Sequence, residues 1–133
     1  MLRISRKGDY ALLLLTTLAN VKEGKVVSLK DIARVHRMPY KFVSQIAPLL
    51  VDAGILGSKE GVGGGYFLAR NPQAISVGKV LELIEGPVAP VACMRDGCVC
   101  EPTCVQKSVM EKMASSFQRS MRGYTVADLV RSS

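Results

Sequence analysis

Apolar positions along this chain recur mostly at helical spacing. From Lys7 to Val21, the residues Tyr10, Leu13, Leu14, Thr17, Leu18 and Val21 fall three and four apart behind Ser5, a capping residue type, so the spacing predicts a helix over 7–21. Leu12 and Leu15 lie off that stripe. A helix apolar on two sides must be covered on two sides, which points to a subunit interface. The polar turn Lys22-Glu23-Gly24-Lys25 follows, and Val26 and Val27 read as a short strand.

Ser28 to Leu56 is the most informative stretch. Ser28 with Asp31 three residues on has the form of a capping box, and Leu29, Ile32, Ala33 and Val35 make a short apolar face. His36-Arg37-Met38 is a tight connection. Pro39 opens a second helix whose core stripe is read as Phe42, Ile46, Leu49, Leu50 and Ala53, with Gly54 as its terminator. Tyr40, Lys41, Ser44 and Gln45 fall on the other side. Two short helices joined this way form a helix-turn-helix, and those four polar residues suit phosphate contact and base-edge reading. Pro48 breaks the pattern, because proline lacks the amide hydrogen that would bond the Ser44 carbonyl. It predicts either a kink over 44–48 or a helix that stops before it.

The segment Gly54 to Arg70 places Ile55-Leu56 and Tyr66-Phe67-Leu68 around a glycine-rich centre, the pattern of a β-hairpin. After a helix-turn-helix such a hairpin is a wing, with Lys59, and Arg70 likewise, available to phosphate or a minor groove. The run Gly61-Val62-Gly63-Gly64-Gly65 has no following Lys-Ser/Thr and no following helix, so it is not a phosphate-binding loop. Ser76 caps another helix with Val80, Leu83 and Ile84 on one face and Gly86 at its end. Beyond the Pro87–Ala92 linker, Val105, Val109, Met113, Phe117 and Met121 repeat every four residues through a long helix, with Met110 beside them. A second copy of the same helix is the simplest cover for that stripe, with packing on its own domain as the alternative. Thr125 and Asp128 cap a last short helix.

Composition adds direction. The 133 residues carry a net charge of +7, which points to a polyanionic partner once the basic residues cluster around a helix-turn-helix and wing. A single histidine, His36, sits in a basic turn and offers no general-base constellation, so the chain does not read as an enzyme. His36 reads instead as a surface or DNA-facing residue. The basic, apolar N-terminus is broken by Asp9, Tyr10, Thr16, Thr17 and Asn20, and no run reaches the roughly 18 apolar residues of a membrane span. The expected location is the cytoplasm, where thiols stay reduced.

That matters for Cys93, Cys98, Cys100 and Cys104, all four cysteines of the chain, which fall within twelve residues. Reduced thiolates are soft ligands for zinc or an iron–sulfur cluster, and Gly97 and Pro102 allow the turns that bring several sulfurs to one centre. Structural zinc sites more often use two cysteine pairs far apart, so the clustering favours an iron–sulfur loop without naming the metal.

Taken in order, SRKGDYALLLLTTLA, the helix-turn-helix ending DAGIL, GGGYFLAR, ISVGKVLELIEGP and the cysteine cluster before a long helix resemble the bacterial Rrf2 family of transcription regulators. The resemblance covers nearly the whole chain. It implies a mainly α fold with a small β-hairpin wing. Residues 1–88 would be a winged helix-turn-helix DNA-binding domain, 89–104 a cysteine-rich cluster-binding loop, and 105–133 a dimerisation helix with a short terminal helix. It further implies a homodimer on pseudo-palindromic double-stranded DNA, with Tyr40, Lys41, Ser44, Gln45 and Lys59 at the interface and an iron–sulfur cluster of either nuclearity controlling binding. Against the family's three cysteines, Cys93, Cys98 and Cys104 are the matches. The first gap is one residue shorter than in familiar cluster-binding members, and Cys100 is extra, either a fourth ligand or a replacement for Cys98. Where some relatives place a histidine after the last cysteine, this chain has Val105-Gln106-Lys107. Asp9 is a further candidate ligand, its other role being a favourable charge in the first turn of its helix. The alternative is a zinc-containing or thiol-oxidation-sensing winged-helix repressor.

Overall fold

The computed structural model describes residues 4–87 and 105–131; Cys93, Cys98, Cys100 and Cys104 lie outside the described residues. Among the described residues, six α-helices and one hairpin follow in the order α1 (Arg6–Ala19), α2 (Leu29–Val35), α3 (Tyr40–Asp52), β1 (Leu56–Lys59), β2 (Gly65–Leu68), a 3₁₀ turn (Pro72–Ala74), α4 (Val77–Glu85), α5 (Lys107–Arg122) and α6 (Val126–Arg131).

Local chemistry starts most of these helices. Ser5 accepts from the Gly8 N–H, Ser28 from Asp31 and Ser76 from Lys79, each satisfying one amide that a first turn leaves unpaired. At α6 the box is reciprocal: the Asp128 N–H donates to Thr125 Oγ1 at 3.3 Å and the Thr125 N–H donates to Asp128 Oδ2 at 2.9 Å. Those bonds, the backbone one above all, hold the Asp128 carboxyl below the ordinary carboxylate range, with the Thr125 hydroxyl and Arg131 assisting.

Helix α1 is the centre of the molecule. Ala11, Leu14, Leu15 and Leu18 are buried on it, and α2, α3, β2, α4 and α6 all pack against it. The expected stripe was therefore too narrow, since Leu15, placed off it, is fully buried. Leu12 and Leu13 pack against the same core and are half-buried, so much of the broad apolar surface of α1 is covered within the chain.

Helix α3 runs unbroken through Pro48, so the alternative of a helix that stops before it does not hold. Its buried face is Val43, Ile46, Ala47 and Leu50; Leu49, expected inside, is 44% exposed, and Phe42 is half-buried with its ring 5.7 Å from that of Tyr10. Likewise α4 buries Val77, Val80 and Leu81 and leaves Leu83 outside. Both helices carry aliphatic residues on more than one face, and only the neighbours in the fold choose between the faces.

The hairpin pairs Leu56 with Leu68 and Lys59 with Gly65, turning through Gly61 and Gly63 at positive φ. Val27 contributes a single antiparallel bridge to Tyr66, giving the sheet a third edge where a short strand was expected.

The C-terminal segment is clamped to this core. Ser76 Oγ donates to the Arg122 carbonyl, the Val77 N–H to Tyr124 O, and the Val126 N–H to Ile75 O. Gly78 lies so close to α5 that a Cβ there would stand 2.6 Å from the Arg122 nitrogen. Glu82 takes Arg122 in a two-pronged ion pair at 2.8 and 2.9 Å, which raises the guanidinium above its ordinary value. Only Ala114 of α5 is buried. Of the expected stripe, Val109, Met113 and Phe117 are 54%, 51% and 43% exposed and Val105 lies ahead of the helix in solvent, while Met121, and Met110 beside the stripe, are half-buried, so packing on its own domain covers only the end of it.

Candidate nucleic-acid interface

Helices α2 and α3 are joined through a tight C-terminal motif. The Arg37 N–H donates to Arg34 O and the Met38 N–H to Ala33 O at 2.7 Å, with Met38 buried below. This Schellman arrangement needs a left-handed residue at its first position after the cap, and here Arg37 takes φ +52°. The end of α3 repeats the motif: Gly54 N–H to Val51 O, Ile55 N–H to Leu50 O, Ile55 buried, and Gly54 at φ +76°. The chain thus uses glycine at one such turn and arginine at the other. Among the described residues the Arg37 guanidinium has neither hydrogen bond nor ion pair, so no polar interaction of its side chain offsets its backbone strain. Sequence reading passed over Arg37. The signal was present, because the His36-Arg37-Met38 connection contains no glycine although such a turn requires one residue at positive φ.

Pro39 precedes α3 in an extended conformation, and no side chain caps the helix. The Tyr40 and Lys41 amides are thereby left for solvent or an anion, in contrast to the serine-capped starts of α1, α2 and α4. Of the residues expected at the interface, Tyr40, Lys41 and Gln45 are exposed on this first stretch of α3. Ser44 is half-buried and its hydroxyl donates to the Lys41 carbonyl at 2.9 Å, so its proton is used locally and only its lone pairs face a partner. Lys59 is exposed on β1, a separate element that follows α3 after a three-residue connection and packs against it. Lys30, Arg34 and Arg37 add exposed cations around the same turn, Arg34 loosely paired with Asp31 at 3.5 Å.

Asp9 is exposed in the first turn of α1, and His36 is exposed as the cap of α2. Among the described residues no three His, Cys, Asp or Glu side chains gather to hold a metal. Nor is any described helix long and apolar enough to cross a membrane.

Comparison with known proteins agrees with this geometry. The family model Rrf2, described as an iron-dependent transcriptional regulator, matches residues 4–132. The HTH-type transcriptional regulator NsrR of Shouchella clausii is 30% identical over 125 residues, spanning 92% of this chain and 84% of that protein. Among solved structures, CymR (YrzC), the global cysteine regulator of B. subtilis, superposes with a TM-score of 0.83 at 29% identity, covering 100% of this chain and 99% of that one. IscR of T. potens gives 0.79 at 31% identity over 98% and 88%.

Proposed function

Because the chain belongs to the Rrf2 family of transcription regulators, we propose that it binds a pseudo-palindromic operator as a homodimer, with its affinity set by an iron–sulfur cluster in the cysteine loop. The observation that carries the reading is the uncapped, exposed start of α3, set directly before a basic wing. Tyr40 and Lys41 would meet phosphate, Gln45 a base edge with Ser44 as acceptor, and Lys59 the backbone beside the wing. Residues 1–88 are the DNA-binding unit, 89–104 the cofactor loop and 105–133 the dimerisation segment. The uncovered stripe of α5 supports the dimer, since an apolar surface of that length is buried most simply by its own copy, and a twofold protein fits two half-sites.

The chemistry of the donor set fits the cluster: four thiols fall within twelve residues, and the single histidine is remote in sequence. Cys93, Cys98 and Cys104 would hold it, with Cys100 as the fourth sulfur. When bound, such a group supplies thiolate bonds that respond to oxidation and iron supply. What the chain contributes is a fixed frame around the loop. Helix α4 ends at Glu85, whose carboxylate accepts the Ser5 N–H at the start of α1, and α5 is locked to α4 through Arg122. Any ordering of the loop between α4 and α5 is therefore applied directly to the DNA-binding core. A ligand favours one arrangement only through its differential affinity for it.

Protein purified without oxygen should be brown, with iron and sulfide, and Cys93→Ala, Cys98→Ala and Cys104→Ala should each abolish the colour. If Cys100→Ala bleaches while Cys98→Ala does not, the middle ligand is Cys100. Colourless protein with zinc and no iron would replace the cluster by the zinc or thiol-oxidation reading, which the likeness to a cysteine regulator favours. On DNA, Gln45→Ala should cost about 1–3 kcal/mol on the operator only, and Lys59→Ala should weaken all duplexes alike. Equal losses on operator and random DNA would remove Gln45 from the readout.

A further inference from the structure

We propose that the outer face of the wing is a binding site for a small organic anion that carries an aromatic or aliphatic group. The site is a groove of about 710 Å³ between the C-terminal end of α1, the Lys22–Lys25 turn, the hairpin and the Ala69–Pro72 segment. That volume lies within the range of roughly 300–1,000 Å³ typical of small-molecule sites.

Its floor is apolar by construction. Leu56 is buried and Leu68 and Tyr66 pack on the core, so strand alternation turns Phe67 and Lys59 to the opposite face. Opposite Phe67 stands Gly57, where a Cβ would lie 2.3 Å from the Phe67 ring, so the ring lies flat across the partner strand's backbone. It remains 38% exposed. A solvent-facing strand position ordinarily carries a polar side chain; here an aromatic plane is held open, with Val21 and Pro72 beside it.

The rim is cationic. Lys22, Lys25, Lys59 and Arg70 face one carboxylate, Glu23, a formal excess of three positive charges. None of the four cations is in an ion pair with a described residue. Unpaired like charges around a concave wall attract an anion, and the aromatic floor selects one with apolar bulk. A duplex backbone, to which Lys59 is assigned above, offers phosphates and sugars but no aromatic or extended apolar group to lay on that floor. Arg70 Nη2 also donates to the Ala53 carbonyl at 3.4 Å, at the end of α3, so an anion drawing on Arg70 acts on the recognition helix as well.

The dye titration uses the full chain with no DNA present, and DNA enters only as a competitor in a separate arm, so failure of the titration leaves the DNA-binding reading untouched. Anilinonaphthalene sulfonate, titrated by fluorescence, should bind saturably at one site per chain. Phe67→Ala, and separately the pair Lys22→Ser with Lys25→Ser, should each weaken binding about tenfold. Phe67→Leu, which keeps apolar bulk without the aromatic plane, serves if Phe67→Ala lowers the melting temperature, and should also weaken the dye. Three results would overturn the proposal. One is dye binding that survives Phe67→Ala but is lost in Phe117→Lys, which places it on α5. Another is inorganic phosphate competing as tightly as the dye, which makes the groove a bare anion site. The third is a random duplex displacing the dye and losing affinity in the lysine pair variant, which assigns the groove to DNA.

Discussion

Replacing Arg37 by glycine should stabilise the protein and weaken its grip on DNA at once. The left-handed conformation costs an L-residue about 1–2 kcal/mol, and glycine escapes that cost. Glycine in turn loses roughly 0.4–1 kcal/mol through the greater freedom of the unfolded chain. The net gain is about 0.5–1 kcal/mol, and for a chain of this size it should raise the melting temperature by about 2–5 °C. The matched turn at Gly54, with the same two backbone bonds, shows that the fold accepts glycine in this geometry. On DNA, Arg37 is an exposed cation beside the start of α3, and if it meets a phosphate its loss should flatten the dependence of log affinity on log salt by about one unit per protomer. Circular dichroism melts give the first quantity. Fluorescence anisotropy on a random duplex between about 50 and 200 mM salt gives the second, without knowledge of the operator. Arg37→Asn should lose the salt slope at little cost in stability, because asparagine tolerates this conformation, and Arg37→Lys should keep both strain and slope. A lower melting temperature for Arg37→Gly would show that the guanidinium stabilises the fold. Unchanged slopes for the glycine and asparagine variants would remove Arg37 from the interface.

Pro48→Ala restores the amide that can bond the Ser44 carbonyl and should raise stability by about 1–2 kcal/mol while changing operator affinity; a variant unchanged in both melting and binding would mean that α3 carries no strain there. Gly78→Ala drives a Cβ into backbone atoms of Met121 and Arg122 and should cost about 1–3 kcal/mol, with faster amide exchange in α5 and α6. Unaltered exchange would show that the contact yields freely. Asp128, held below the ordinary carboxylate range in the folded state, stabilises the chain above its unfolded pKa of about 4 and loses that contribution as pH falls through the lower folded value. Asp128→Asn should therefore melt lower at neutral pH and converge with the parent in acid, and an identical acid limb for both proteins would refute the assignment.

Short-range chemistry was legible in the chain. Ser28, Ser76 and the Thr125–Asp128 pair start their helices as their types require, Gly54 ends α3, and the glycine-rich run turns the hairpin, because each device is complete within four or five residues. The succession of helix, turn, helix and wing follows from those devices and carries the family resemblance with it. Which side of each helix is buried did not follow. Leu15 proved central in α1, Val43 and Ala47 displaced Leu49 in α3, and Leu81 displaced Leu83 in α4, since aliphatic residues on two faces fit the period equally well. At Arg37 the turn is as local as the one at Gly54, but its residue types do not announce it, because an arginine stands where glycine is usual. The groove over Phe67 joins the end of α1 and the Lys22–Lys25 turn that follows it to the wing, which is distant from both in sequence. Local bonding is settled by neighbours along the chain, whereas burial and charge convergence depend on which elements pack face to face, and only the tertiary structure decides that.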